Sequence, residues 1–70
     1  MNTKILSRFG KKLKEIRLEK DLTQEELAEK VGIHATYVGK LESGKNNPSL
    51  MMIYKFSCAL KVKLKDLLDI

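Results

Sequence analysis

An all-α chain of five helices is what this sequence predicts, and three observations predict it. Apolar residues recur at steps of three and four along nearly the whole chain, and no stretch alternates with the two-residue period of a half-buried strand. Residues suited to start or stop a helix stand at the breaks between these stripes: Thr23 and Ser49 ahead of them, Gly32 and Gly44 behind. The 70 residues allow one small domain, 1–70, whose core is marginal alone, and this favours short connections between helices and support from a second copy.

The elements follow in order. Ile5, Leu6, Phe9, Leu13 and Ile16 mark an amphipathic first helix that ends near Lys20. Thr23 stands three residues before Glu26, so its hydroxyl can take an amide of the next turn while the carboxylate reaches back to the Thr23 amide. A second helix starts there, with Leu27, Ala28 and Val31 inward. Gly32 offers the positive φ at which it can stop, and Ile33 packs under the turn. A third helix runs from about His34 to Glu42, with Val38 and Leu41 inward and Gly44 closing it. Lys45, Asn46, Asn47 and Pro48 form a loop, and Ser49 caps a fourth helix with Leu50, Ile53, Phe56 and Leu60 as its inner positions. A short fifth helix follows Val62, with Leu64, Leu67, Leu68 and Ile70 as its apolar residues.

Composition narrows the function. Fourteen Lys and Arg against nine Asp and Glu give a net charge of +5 and a pI near 9.5, the footprint of a nucleic-acid binder. The charge is uneven: residues 1–20 carry Lys4, Arg8, Lys11, Lys12, Lys14, Arg17 and Lys20 against Glu15 and Glu19, while Asp21, Glu25, Glu26 and Glu29 outnumber Lys30 in the next segment. A solvated helix face would look the same, so charge alone does not decide. The single cysteine, Cys58, rules out an intramolecular disulfide and a thiolate cluster, and the single histidine, His34, has no partner spacing for a metal. No paired carboxylates, nucleophile with a base, or phosphate loop stands at workable spacing, so neither an enzyme, a cofactor nor a small-molecule ligand is expected. Residues 1–20 lack the apolar run of a secretion signal and no stretch is long enough to span a bilayer, so the expectation is a cytoplasmic protein without a membrane partner.

The informative stretch is Thr23 to Glu42, TQEELAEKVGIHATYVGKLE, which reads as a capped short helix, a tight turn and a second short helix. Ala28 is small where the two helices cross, and Leu27, Val31, Ile33, Val38 and Leu41 bury the seam. Such a pair can lay the first half of its second helix in the DNA major groove. Ala35, Thr36, Gly39 and Lys40 share the outward face and are the positions able to reach base edges. Thr36 can exchange hydrogen bonds and meet a thymine methyl, or it can serve only as a helix-start cap. Lys40 can donate to guanine or to phosphate, or it can be a solvated lysine. Ala35 offers apolar contact alone, and Gly39 removes a side chain at a cost of about 1 kcal/mol of helix propensity. The Tyr37 ring can pack on the motif while its hydroxyl reaches a phosphate. Arg17 and Glu42 both fall at the edge of apolar stripes, where a lone charge is costly, and are expected to pair.

Three stretches, IRLEKDLTQEELAEKVGI, YVGKLESGKNNPSL and ALKVKLKDLL, resemble in order and spacing the phage repressor and Cro-like helix-turn-helix family, often termed XRE-like, over nearly the whole chain. The resemblance implies a five-helix lambda-repressor-like domain that binds double-stranded DNA as a homodimer on an inverted-repeat operator and represses or activates nearby promoters. It also implies a bacterial or phage-encoded protein of the nucleoid, with RNA polymerase as a further contact. The short chain and the Thr36-Tyr37 start of the third helix are similar to restriction-modification controller proteins. By position in the motif, Gln24 falls where the family places a phosphate contact that braces the recognition helix. Ser43, Lys45, Asn46 and Asn47 fall in the loop where backbone contacts gather. His34 occupies the cap slot usually held by serine, threonine or aspartate, and can point to a phosphate instead. The Arg17–Glu42 pair is implied here too, as a structural feature. Lys61 stands where glycine is common.

The fourth and fifth helices hold more apolar residues than one inner face uses. Met51, Met52 and Tyr54 are surplus on the fourth, and Leu64, Leu68 and Ile70 add to them, so this end is expected to form the dimer interface. One rival function is an antitoxin, whose helix-turn-helix would also neutralise a toxin and autoregulate its operon. Another is a basic peripheral membrane protein using the first helix.

Overall fold

The computed structural model describes residues 4–70 and contains five helices: α1 (Lys4–Glu19), α2 (Gln24–Val31), α3 (Ala35–Glu42), α4 (Leu50–Leu60) and α5 (Leu64–Leu67). Met1, Asn2 and Thr3, the start of the stretch read above for a secretion signal, lie outside the described residues. Every helix contributes to one core. Phe9, Leu13 and Ile16 come from α1, Leu27 and Ala28 from α2, Val38 and Leu41 from α3, Phe56 and Leu60 from α4, and Leu67 from α5. At four residues α5 is too short to persist by propensity, and its fully buried Leu67 ties it to the rest.

The helix starts are set by local chemistry. The Thr23 hydroxyl accepts from the Glu26 amide at 3.0 Å, and the Thr23 amide donates to the Glu26 carboxylate at 2.9 Å. These bonds from Thr23 hold the Glu26 carboxyl below its ordinary 4.5, so what its charge adds to stability is present above that pH and is lost as pH falls through the lowered value. Ser49 caps α4 by accepting from the Met52 amide at 3.1 Å.

The helix ends share one device. Asp21, Gly32, Gly44 and Lys61 all take the left-handed conformation, and the amide after each one reaches back over the last turn: Leu22 to the Arg17 carbonyl, Ile33 to Ala28, Lys45 to Lys40, and Val62 to Ser57, at 2.9–3.1 Å. Leu22, Ile33 and Val62 then pack their side chains on the core. Lys61 adopts φ 57 and ψ 43 without the freedom of the glycine common in its place.

One close approach fixes how α1 lies on α3. A Cβ on Gly10 would stand 2.4 Å from the Leu41 carbonyl oxygen and 2.6 Å from that of Glu42, so the two backbones touch with no side chain between them.

Two inner-stripe expectations are corrected. Leu50 is 66% exposed, because steps of three from Leu50 to Ile53 to Phe56 each fall short of a full turn and leave Leu50 about 120° round the helix from Phe56. Ile5 is 59% exposed, since the first turn of α1 reaches past the core. Leu6, Val31 and Ile53 are only half-buried, on the rim of the core.

Two substitutions test this packing by thermal or urea unfolding. Gly10→Ala gains about 1 kcal/mol of helix propensity but drives a methyl into backbone oxygens, and a net loss of about 2 kcal/mol is expected. Lys61→Gly relieves the left-handed strain and should raise stability by up to about 1 kcal/mol.

Candidate nucleic-acid interface

Three helices meet at one buried carboxylate. Arg17, 6% exposed in the last turn of α1, donates from Nε to Glu42 Oε2 at 2.6 Å and from Nη2 to Oε1 at 3.1 Å. Its third nitrogen, Nη1, donates to the Leu22 carbonyl at 2.7 Å in the turn leading to α2. Gln24, the first residue of α2, donates from Nε2 to Glu42 Oε1 at 3.0 Å. The forked guanidinium matches the carboxylate, and among the described residues no buried side-chain polar atom lacks a partner. The end of α1, the start of α2 and the end of α3 are therefore pinned together by directional bonds.

This brace supports the outward face of α3. The helix starts from His34 in extended conformation, φ −77 and ψ 143, and the exposed imidazole makes no cap bond. Thr36 and Lys40 are exposed, and their side chains have no hydrogen-bond or ion-pair partner among the described residues, so both side chains remain available to a ligand. Ala35 and Tyr37 are half-buried with their side chains against the core. Gly39 faces the Gln24 amide, which a Cβ there would meet at 3.5 Å, an ordinary contact. Gln24, Ala35, Thr36 and Gly39 line one open concave surface between the start of α2 and the first turns of α3, with Leu18 on its rim.

The loop that follows is tied to the same helix. Ser43 donates its hydroxyl to the Lys40 carbonyl at 3.1 Å, and the Lys45 amide bonds that carbonyl at 2.9 Å. Lys45 and Asn47 are exposed and Asn46 is half-buried. Gly44 lies against the first turn of α1, where a Cβ would come within 2.7 Å of the Ser7 hydroxyl. His34, Thr36, Lys40, Lys45 and Asn47 are thus exposed along α3 and the loop after it, with Gln24 half-buried beside them. Their donors suit phosphate and base-edge acceptors.

The apolar surplus is arranged differently from the expectation. Met51, Tyr54 and Leu68 are exposed, whereas Met52, Leu64 and Ile70 are half-buried, Met52 and Ile70 being drawn against the core. Leu50 joins Met51 and Tyr54 on the outer side of α4. Leu68 and Ile70 instead line an apolar groove with Ile5, Phe9, Pro48 and Ile53. Sequence reasoning missed Leu18 on the rim, Leu50 on the outer side of α4 and the contact at Gly10. A glycine inside a helical stripe was the available signal for the last. Among the described residues, no group of His, Cys, Asp and Glu comes together that could hold a metal, and no helix is long and apolar enough to cross a membrane.

Comparison with known proteins places this geometry. The helix-turn-helix family matches residues 13–67. Control protein C.BamHI of Bacillus amyloliquefaciens is 46% identical over 70 residues, covering 99% of this chain and 86% of its own. The crystal structure of the restriction-modification controller protein C.AhdI from Aeromonas hydrophila superposes with a TM-score of 0.86 at 42% identity, covering 89% of this chain and 94% of its own. The structure of SinR, the master regulator for biofilm formation, in complex with DNA gives 0.81 at 37% identity, covering 87% and 98%.

The brace makes a sharp prediction. Glu42→Ala leaves the Arg17 guanidinium buried without its carboxylate and should cost about 3–5 kcal/mol. Replacing both partners, Arg17→Met with Glu42→Leu, should recover most of that loss in urea unfolding.

Proposed function

This chain belongs to the helix-turn-helix family, and from that premise we propose that it is the controller of a restriction-modification system: a DNA-binding transcriptional regulator that acts as a homodimer on an inverted-repeat operator. The observation that carries this reading is the similarity to a control protein, 46% identical along 99% of the chain. The outward face of α3 supports it independently. Thr36 and Lys40 read base edges in the major groove, and Ala35 and Gly39 allow the helix to approach closely. Gln24, His34, Tyr37, Ser43, Lys45, Asn46 and Asn47 set the register on phosphates. Because Gln24 is held by the Glu42 carboxylate, its free groups are already positioned when DNA arrives.

The apolar end supports the dimer. Leu50, Met51 and Tyr54 are exposed on α4, Leu68 is exposed on the groove it lines with Ile70, and Met52, Leu64 and Ile70 are half-buried. Two copies joined through α4 and α5 would set their α3 helices about 34 Å apart, in successive major grooves. The site of action in this reading is the cytoplasm, at the nucleoid, and a promoter-bound dimer would have RNA polymerase within reach.

Selection of bound fragments from random duplex DNA at stated salt should enrich an inverted repeat; recovery of no common sequence would overturn the reading. Thr36→Ala should change the preferred base at one position in each half-site. Lys45→Ala should instead weaken all sequences about equally and lower the slope of log affinity against log salt by about 1. Sedimentation that finds only monomer, with DNA bound and at micromolar concentration, would count against the dimer.

A further inference from the structure

The last turn of α1 forms one wall of the concave surface beside α3, and the reading above gives that wall no role. Leu18 and Leu22 line the surface together with Gln24, Thr36 and Gly39. Leu22 is half-buried and packs on the core, whereas Leu18 is 55% exposed. Leu18 directly follows Arg17, whose bonds to the Glu42 carboxylate and the Leu22 carbonyl pin this turn against the end of α3 and the approach to α2. An exposed leucine is thus held in a fixed place beside Thr36. The charges on the same surface limit what can lie against it. Of the residues lining it, Arg17 is the one cation, and it is buried and committed to Glu42. Glu25, which lines it too, is exposed and negative.

We propose that Leu18 packs on a deoxyribose of the strand that borders the groove α3 enters, an apolar stop that seats the DNA backbone beside Thr36. A wall with no free cation and an exposed carboxylate is a poor seat for a phosphate, but its apolar carbon suits the sugar, whose outer face is carbon and hydrogen. The Gln24 amide, on the same surface, is left to the phosphate next to that sugar. A contact to a sugar meets a unit that every nucleotide shares and releases no counterion. Leu18 therefore adds affinity with neither base preference nor salt dependence. The inference rests on the reading of α3 as the helix that enters the groove.

The test compares Leu18→Ala and Leu18→Met in the full chain, each checked for unchanged helix content and melting, with Lys45→Ala as reference. Binding to the selected operator and to an unrelated duplex is measured across a series of salt concentrations. The operator complex is also cut with hydroxyl radical, which attacks the hydrogens of exposed deoxyribose. Leu18→Ala should weaken both duplexes by the same factor, on the order of tenfold. It should leave the salt slope and the preferred sequence as they were and open one sugar in each half-site to cleavage, while Leu18→Met keeps both the affinity and the protection. Unchanged affinity, no newly cleaved sugar, a shifted base preference or a fallen slope in Leu18→Ala each overturns the sugar contact. The regulator reading survives any of these while the wild-type chain selects its operator and Lys45→Ala lowers the slope; a wild-type chain that prefers no duplex overturns both.

Discussion

The junction of Arg17 with Glu42 is the constraint on which the working face depends. Apolar contacts such as those among Leu27, Val38 and Leu41 are strong but not directional, and they would tolerate a small slide or rotation of one helix on another. A forked pair with a 2.6 Å bond, a second at 3.1 Å, and further bonds to Leu22 and Gln24 does not tolerate it. Taking two charges out of water is expensive, and their attraction offsets that cost only when the geometry is good and the remaining donors are satisfied. Both conditions hold here. What the pair contributes is less net stability than a fixed angle between the helix that presents residues and the two that carry it.

Gly10 completes that constraint by a different means. The ion pair sets orientation at the end of α3, and the missing side chain sets the distance between α1 and α3. Together they make the outward face of α3 an extension of α1 and α2, so a residue such as Leu18, remote from α3 in sequence, still lines the surface beside it.

How much of this was legible follows from how local each determinant is. The Thr23–Glu26 box lies within four residues and could be read directly, as could the stops at Gly32 and Gly44. The stop at Asp21 could not, because aspartate ahead of a helix reads as turn or cap material and carries no mark of a left-handed backbone. Leu50 was misplaced since an apolar stripe counted in threes drifts round the helix, and only packing reveals where it leaves the core. On the candidate interface, Gln24, Ala35, Thr36 and Gly39 were legible as neighbours because one short motif and its helical period bring them together. The apolar surplus was legible as an amount but not as a distribution. Whether Met52 or Leu50 faces outward depends on what α1, α2 and α5 place around α4, and no local pattern records that.

Gly39 brings these observations to a point. A side chain there would meet the Gln24 amide only at ordinary contact distance, so the chain's own packing does not exclude one. Alanine would add about 1 kcal/mol of helix propensity. The molecule thus keeps a weakness in its own scaffold that no internal contact demands, unlike at Gly10, where the fold forbids anything larger. Gly10 records the shape of the protein's interior. On the proposed reading, Gly39 is a vacancy in the outer contour, a space left for the DNA.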